Sequence, residues 1–73
     1  IAEEIISIES NECMIVMKTF PGRAPGVAIM IDKQNASESL GTIAGDDTVL
    51  VIPRSTKNIK KTIEQIKTTL GIQ

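Results

Sequence analysis

Residues 41–52 read GTIAGDDTVLVI, two runs of strand-forming residues meeting at a pair of adjacent aspartates. Residues 40–45 and 48–52 predict two strands joined as a hairpin, with Gly45 and Asp46 fitting the two-residue turn class that glycine leads. One aspartate suits a turn, because its carboxylate bonds nearby backbone N–H groups. A second beside it does not follow from turn chemistry, since adjacent like charges repel unless they are solvated or paired. Asp46 and Asp47 are therefore candidate functional residues as well as turn residues.

Upstream, residues 3–9 (EEIISIE) read as a strand with Ile6 and Ile8 on one face and Ile5 and Ser7 on the other. SNE at 10–12 signals a turn, and residues 13–19 (CMIVMKT) pair back as a second strand with Cys13 in its apolar run. Pro21 and Gly22 end that strand. A helix starts near Arg23, because Pro25 is tolerated in a first turn. Ala24, Val27, Ala28 and Ile31 form its buried stripe, and Pro25, Ile29 and Asp32 lie along one flank. Residues 34–39 read as a polar loop. Downstream, Ser55 or Thr56 caps a final helix carrying Ile59, Ile63, Ile66 and Leu70, which Gly71 ends with Ile72 folding back. The order β-β-α-β-β-α predicts an α+β fold, a four-stranded, mostly antiparallel sheet with two helices on one face.

Two helices cover one face of such a sheet, and the other is ordinarily polar. Here Met14 and Val16 oppose Ile15 and Met17, and Leu50 and Ile52 oppose Val49 and Val51, so both faces call for burial. A domain of 73 residues is marginal alone, and small domains use disulfides, metals or partner subunits. One cysteine allows no internal disulfide, and the lack of histidine removes Cys/His metal clusters. A second copy of the chain is the expected cover; a neighbouring domain is the alternative.

The net charge of −1 and the single aromatic, Phe20, argue against nucleic-acid binding by this segment. Residues 53–73 carry five basic side chains against Glu64, whereas residues 1–52 carry three against eight acids, so the acidic part suits a cationic ligand. The lysines of the last helix read as a solvated face. No apolar run approaches the roughly 18 residues of a membrane span, and a lone thiol fits a reducing cytoplasm. The chain does not begin with Met, as expected of a segment of a longer protein.

A hard metal at the acid pair would want six or more oxygen ligands, more than Asp46, Asp47 and Thr48 supply. A guanidinium asks only for planar, bidentate acceptors, and Asp32 adds a third acid if its helix flank faces the hairpin tip. GDD also marks the metal site of some polymerases, whose catalytic domains are far larger than this chain. No nucleophile–base pair or phosphate-cradling glycine motif is present, so no enzyme is expected.

GTIAGDDT (41–48), MIVMKTFPGRA (14–24) and Asp32 resemble the C-terminal domain of bacterial arginine repressors, over essentially the whole chain and in the same order of elements. The resemblance implies that residues 1–73 form an arginine-binding oligomerisation domain, assembled as a hexamer of two stacked trimers. L-arginine would bind as corepressor between the trimers, without a metal. Operator DNA would be bound by an N-terminal winged-helix domain absent from this chain, in a cytoplasmic regulator of arginine metabolism genes. By position, Asp46 and Asp47 would engage the ligand, Asp32 would add a polar contact, and Thr42 and Ala44 would line the pocket. Ala24 would open the helix, whose free N–H groups could receive the ligand carboxylate. Relatives often carry glutamine after that alanine. Here Pro25 replaces it, with neither amide nor N–H. The alternative reading is thus an oligomerisation module with weak or no arginine response, a paralogue that joins a second repressor subunit.

Overall fold

The computed structural model describes residues 1–35 and 37–72. Its strands are β1 (Ile5–Ser10), β2 (Ile15–Thr19), β3 (Ser39–Ala44) and β4 (Thr48–Pro53), and its helices α1 (Ala24–Gln34) and α2 (Ile59–Leu70). All pairings are antiparallel, in the order β1-β2-β4-β3, so the predicted α+β architecture holds. Short 3-10 turns at Ala2–Glu4 and Thr56–Asn58 precede β1 and α2.

Period-two alternation sends Ile15 and Met17 of β2 and Val49 and Val51 of β4 to the helix side, where all four are fully buried. Ala24, Val27, Ala28 and Ile31 of α1 meet them as the sequence predicts, with Ile59, Ile66 and Leu70 of α2. Thr62 is also buried in α2, and its hydroxyl bonds the Asn58 carbonyl rather than standing bare. Ser55 accepts from the Lys57 N–H at the start of the 3-10 turn. Gly71 ends α2 at φ +77°, and the Ile72 N–H returns to the Lys67 carbonyl at 2.8 Å, the fold-back expected of a glycine stop.

Three expectations need correction. A bulge between Ile5 and Ser7 breaks the alternation of β1, so Ile5 and Ile8 both pack on the core while Ile6 is 61% exposed. The second strand starts at Ile15, not at residue 13. The Asn11 side chain accepts from the N–H groups of Cys13 and Met14, which holds Cys13 in the turn with an exposed thiol instead of in the core. The polar stretch 34–39 is partly structural. Asn35 and Ser39 are buried, the Ser39 N–H and hydroxyl both bond the Asn35 carbonyl, and Thr69 of α2 donates to the Asn35 side chain. Residue 36 of that loop lies outside the described residues.

The helix-free face carries Met14, Val16, Leu50 and Ile52, all half-buried, and Ile43, 63% exposed. A second bulge, between Ser39 and Gly41 of β3, leaves Leu40 61% exposed at the sheet edge. This apolar face is the one the sequence predicted, and one chain does not cover it.

Candidate functional site

The β3–β4 tip is built differently from the expected glycine-led turn. Asp46 and Asp47 occupy its two central positions, closed by the Gly45 N–H donating to the Thr48 carbonyl at 2.8 Å. Among the described residues, Gly22 and Gly71 alone have positive φ, which excludes the primed turns that twist-matched hairpins prefer. The tip is instead clamped by its neighbours. The Thr19 N–H donates to the Asp47 carbonyl at 2.8 Å, and the N–H groups of Gly22 and Ala24 donate to the Asp46 carbonyl at 3.0 and 3.3 Å. Gly22 reaches that position through its φ of +82°, a backbone state that glycine enters without steric cost. The clamp uses backbone groups, so both carboxylates stay exposed.

The same clamp occupies the Ala24 N–H. That group was expected to be free for a ligand carboxylate, and it is satisfied by Asp46 within the chain. Pro25, next in α1, is exposed and has no N–H to offer.

The carboxylates point to different neighbours. Asp47 accepts from the Thr48 hydroxyl at 2.9 Å, and Thr48 accepts from Lys18 Nζ at 2.8 Å. Lys18 and Thr48 are cross-strand partners of β2 and β4 on the helix-free face. Asp32 of α1 accepts from the Thr42 hydroxyl of β3, at 3.0 Å to one oxygen and 3.1 Å to the other, on the helix side. Since α1 starts at the tip and returns along β3, its exposed flank of Pro25, Ile29 and Asp32 runs beside Thr42 and Ala44. Among the described residues the Asp46 carboxylate has no hydrogen-bond or ion-pair partner.

The predicted residues thus form a shelf that wraps the tip from Asp32 and Thr42 on the helix side to Asp47 on the helix-free side. Asp32 meets Thr42, Ala24 meets the Asp46 backbone, and Ala44 and Pro25 are exposed beside them. The shelf is open. Concave parts of the surface lie along α2 and at the β1–β2 turn. Three planar or charged acceptors of this kind suit a cation with several N–H donors. Among the described residues no three His, Cys, Asp or Glu side chains converge on a metal-sized site, and no helix is long and apolar enough to cross a membrane. The lysines of α2 stand on its outer face, where Lys61 pairs with Glu38 at 3.3 Å and Lys67 with Glu64 at 3.9 Å.

Two contributors escaped the sequence reading. Lys18 is the one charged residue in an apolar strand, and the register of β2 on β4 was needed to see it reach Thr48. Gly22 looked like a strand breaker, and its role in receiving the tip depends on a contact 24 residues away in sequence.

Comparisons with known proteins identify the family. The family model for the arginine repressor, C-terminal domain, matches residues 1–68. The arginine repressor of Chlorobium limicola is 54% identical over 68 residues, covering 93% of this chain and 46% of the relative. That of Chlorobium phaeobacteroides strain BS1 is 57% identical over 67 residues, covering 92% and 45%. That of Chloroherpeton thalassium is 47% identical over 71 residues, covering 97% and 48%. The chain therefore spans about half the length of the curated relatives it matches. On the family match and these identities, the chain belongs to the C-terminal domain family of the arginine repressors, a family of regulators and not of enzymes.

Proposed function

We propose that residues 1–73 are the effector-binding and assembly domain of an arginine-responsive transcriptional regulator that works in the cytoplasm. One observation carries the reading. Two adjacent aspartates are held exposed on a backbone clamp that leaves both carboxylates available. A turn needs no such pair, whereas two exposed carboxylates offer the planar acceptors that suit a guanidinium. L-arginine is the cation that the names of the relatives suggest.

The shelf is open in one chain, so a closed pocket needs a second copy. The apolar helix-free face supplies a reason for copies to associate, into trimers and then a hexamer of two trimers. Carboxylates from facing tips would then crowd together. Unit charges about 4 Å apart at an effective dielectric near 20 repel by roughly 4 kcal/mol. A guanidinium offsets this through charge-assisted hydrogen bonds of about 1.5–3 kcal/mol each. Arginine favours the assembled state by its difference in affinity between states, and several DNA-binding domains presented together gain avidity for operator DNA. Those domains belong to the part of the relatives that this chain does not span.

The test pairs light scattering with calorimetry. The chain is expected to be oligomeric, and its mass or stability to rise with L-arginine. Citrulline, which keeps the shape and loses the charge, is expected to give no heat. A monomer with no arginine heat overturns the reading. A second reading rests on Pro25, which leaves the helix flank without a donor at the shelf. The domain would then assemble without responding to arginine, alone or with a paralogous subunit, and an oligomer with no arginine heat would support it.

A further inference from the structure

We propose that Lys18 is the built-in counter-cation of the acidic tip, holding Asp47 through Thr48 in the unliganded chain and competing with a cationic ligand for it. The inference deepens the arginine-site reading and rests on it for its ligand arm. Three features support it. Lys18 interrupts the apolar run of β2 and lies opposite Thr48 in register on the helix-free face. Its Nζ is 2.8 Å from the Thr48 hydroxyl oxygen, which is 2.9 Å from Asp47 Oδ1. The other cation near the tip, Arg23, is turned to Glu4 at 4.0 Å.

The chemistry of the relay fixes its direction. An ammonium only donates, so Thr48 must accept from it and send its own hydrogen to the carboxylate. Asp47 is therefore bound by a polarised hydroxyl with a positive charge behind it. Asp46 has no such partner among the described residues. The two acids are unequal: Asp46 is open, and Asp47 is countered in advance. That arrangement lowers the repulsion between neighbouring carboxylates when no ligand is present. It also means that a guanidinium reaching Asp47 meets an engaged oxygen and a like charge, so Lys18 weakens ligand binding in exchange for a quieter empty site. Lys18 is exposed in one chain, where its effect is modest and screened by salt.

The experiment uses the whole chain, with Lys18→Met and Lys18→Gln to remove the charge, Lys18→Arg to retain it, and Asp47→Asn alone and combined with each neutral variant. Without ligand, each neutral variant is expected to lower the urea midpoint of the parent and to leave that of Asp47→Asn unchanged. With L-arginine at low salt, both are expected to bind about two- to fivefold more tightly than the parent. High salt should shrink the difference, and Lys18→Arg should match the parent. Additive midpoints overturn the proposal, as does an arginine affinity unchanged or weakened by removing the charge in a parent that binds. A parent that takes up no arginine counts against the site reading instead, and the ligand-free cycle then decides the counter-cation role by itself.

Discussion

The Thr42 hydroxyl on β3 lies within 3.1 Å of both carboxylate oxygens of Asp32 on α1, tying the helix flank to the edge strand. Both groups are accessible, so the bond contributes little to folding. Its consequence is that Asp32 is aimed at the strand that leads to Asp46. Thr42→Val keeps the shape and removes the donor. Stability in urea should fall by no more than about 1 kcal/mol, while arginine affinity in calorimetry falls several-fold as Asp32 swings free. Thr42→Ser should bind as the parent does. Parental affinity in Thr42→Val would show that Asp32 is not held for the ligand.

Two glycines near the tip should respond to alanine with opposite signs. At Gly22 a methyl group meets nothing within 4 Å, but φ is +82°, so the cost lies in the backbone: about 1–2 kcal/mol. The strain also displaces the N–H that holds the Asp46 carbonyl, so arginine binding should weaken with stability. Gly26 lies in the first turns of α1 with helical φ, and its added methyl group also meets nothing within 4 Å. Gly26→Ala should stabilise the domain by about 0.5–1 kcal/mol. Chemical denaturation of the two variants beside the parent checks the pair. A Gly22→Ala protein as stable as the parent would mean that the clamp is dispensable.

Ile43 stands on the edge strand β3, on the helix-free face, and is 63% exposed in one chain. Ile43→Glu removes little packing from the monomer, so its far-UV spectrum should match the parent. If copies associate through this face, a buried charge there is costly, and the mass by light scattering should drop toward that of one chain. An unchanged assembly in Ile43→Glu would place the contact elsewhere.

What was legible in the sequence was what depends on period. Val49 and Val51 alternate with Leu50 and Ile52, and Ala24, Val27, Ala28 and Ile31 recur at helical spacing, so strand faces, helix stripe and element order followed directly. The doubled aspartates pointed to a cationic ligand, and the resemblance of GTIAGDDT pointed to which one. What was lost depends on single bonds formed after folding. The Asn11 side chain pulls Cys13 out of the ladder, a bulge reverses Ile5 and Ile6, and backbone donors from β2 and the start of α1 set the tip conformation that glycine was expected to set. None of these changes the hydrophobic pattern, so periodicity cannot report them. Lys18 reaching Thr48 is of the same kind, visible once the register is known.

The doublet itself gives the sharpest separation of function from structure. Asp46 is fastened by its carbonyl, and its carboxylate has no partner among the described residues. Asp46→Asn keeps the clamp and the size of the side chain while removing one of two adjacent negative charges. A residue kept for folding should destabilise when altered. A residue kept for a ligand should do the reverse, because unrelieved repulsion disappears with the charge. The urea midpoint of Asp46→Asn should therefore stay level or rise slightly, within about 0.5 kcal/mol. Loss of one charge-assisted bond, worth about 1.5–3 kcal/mol, should weaken arginine binding by roughly ten- to a hundredfold. Lysine and citrulline titrations of the same protein should give little further change, since neither presents a guanidinium fork to the missing acid. A destabilised Asp46→Asn that still binds arginine as the parent does would make Asp46 a turn residue after all.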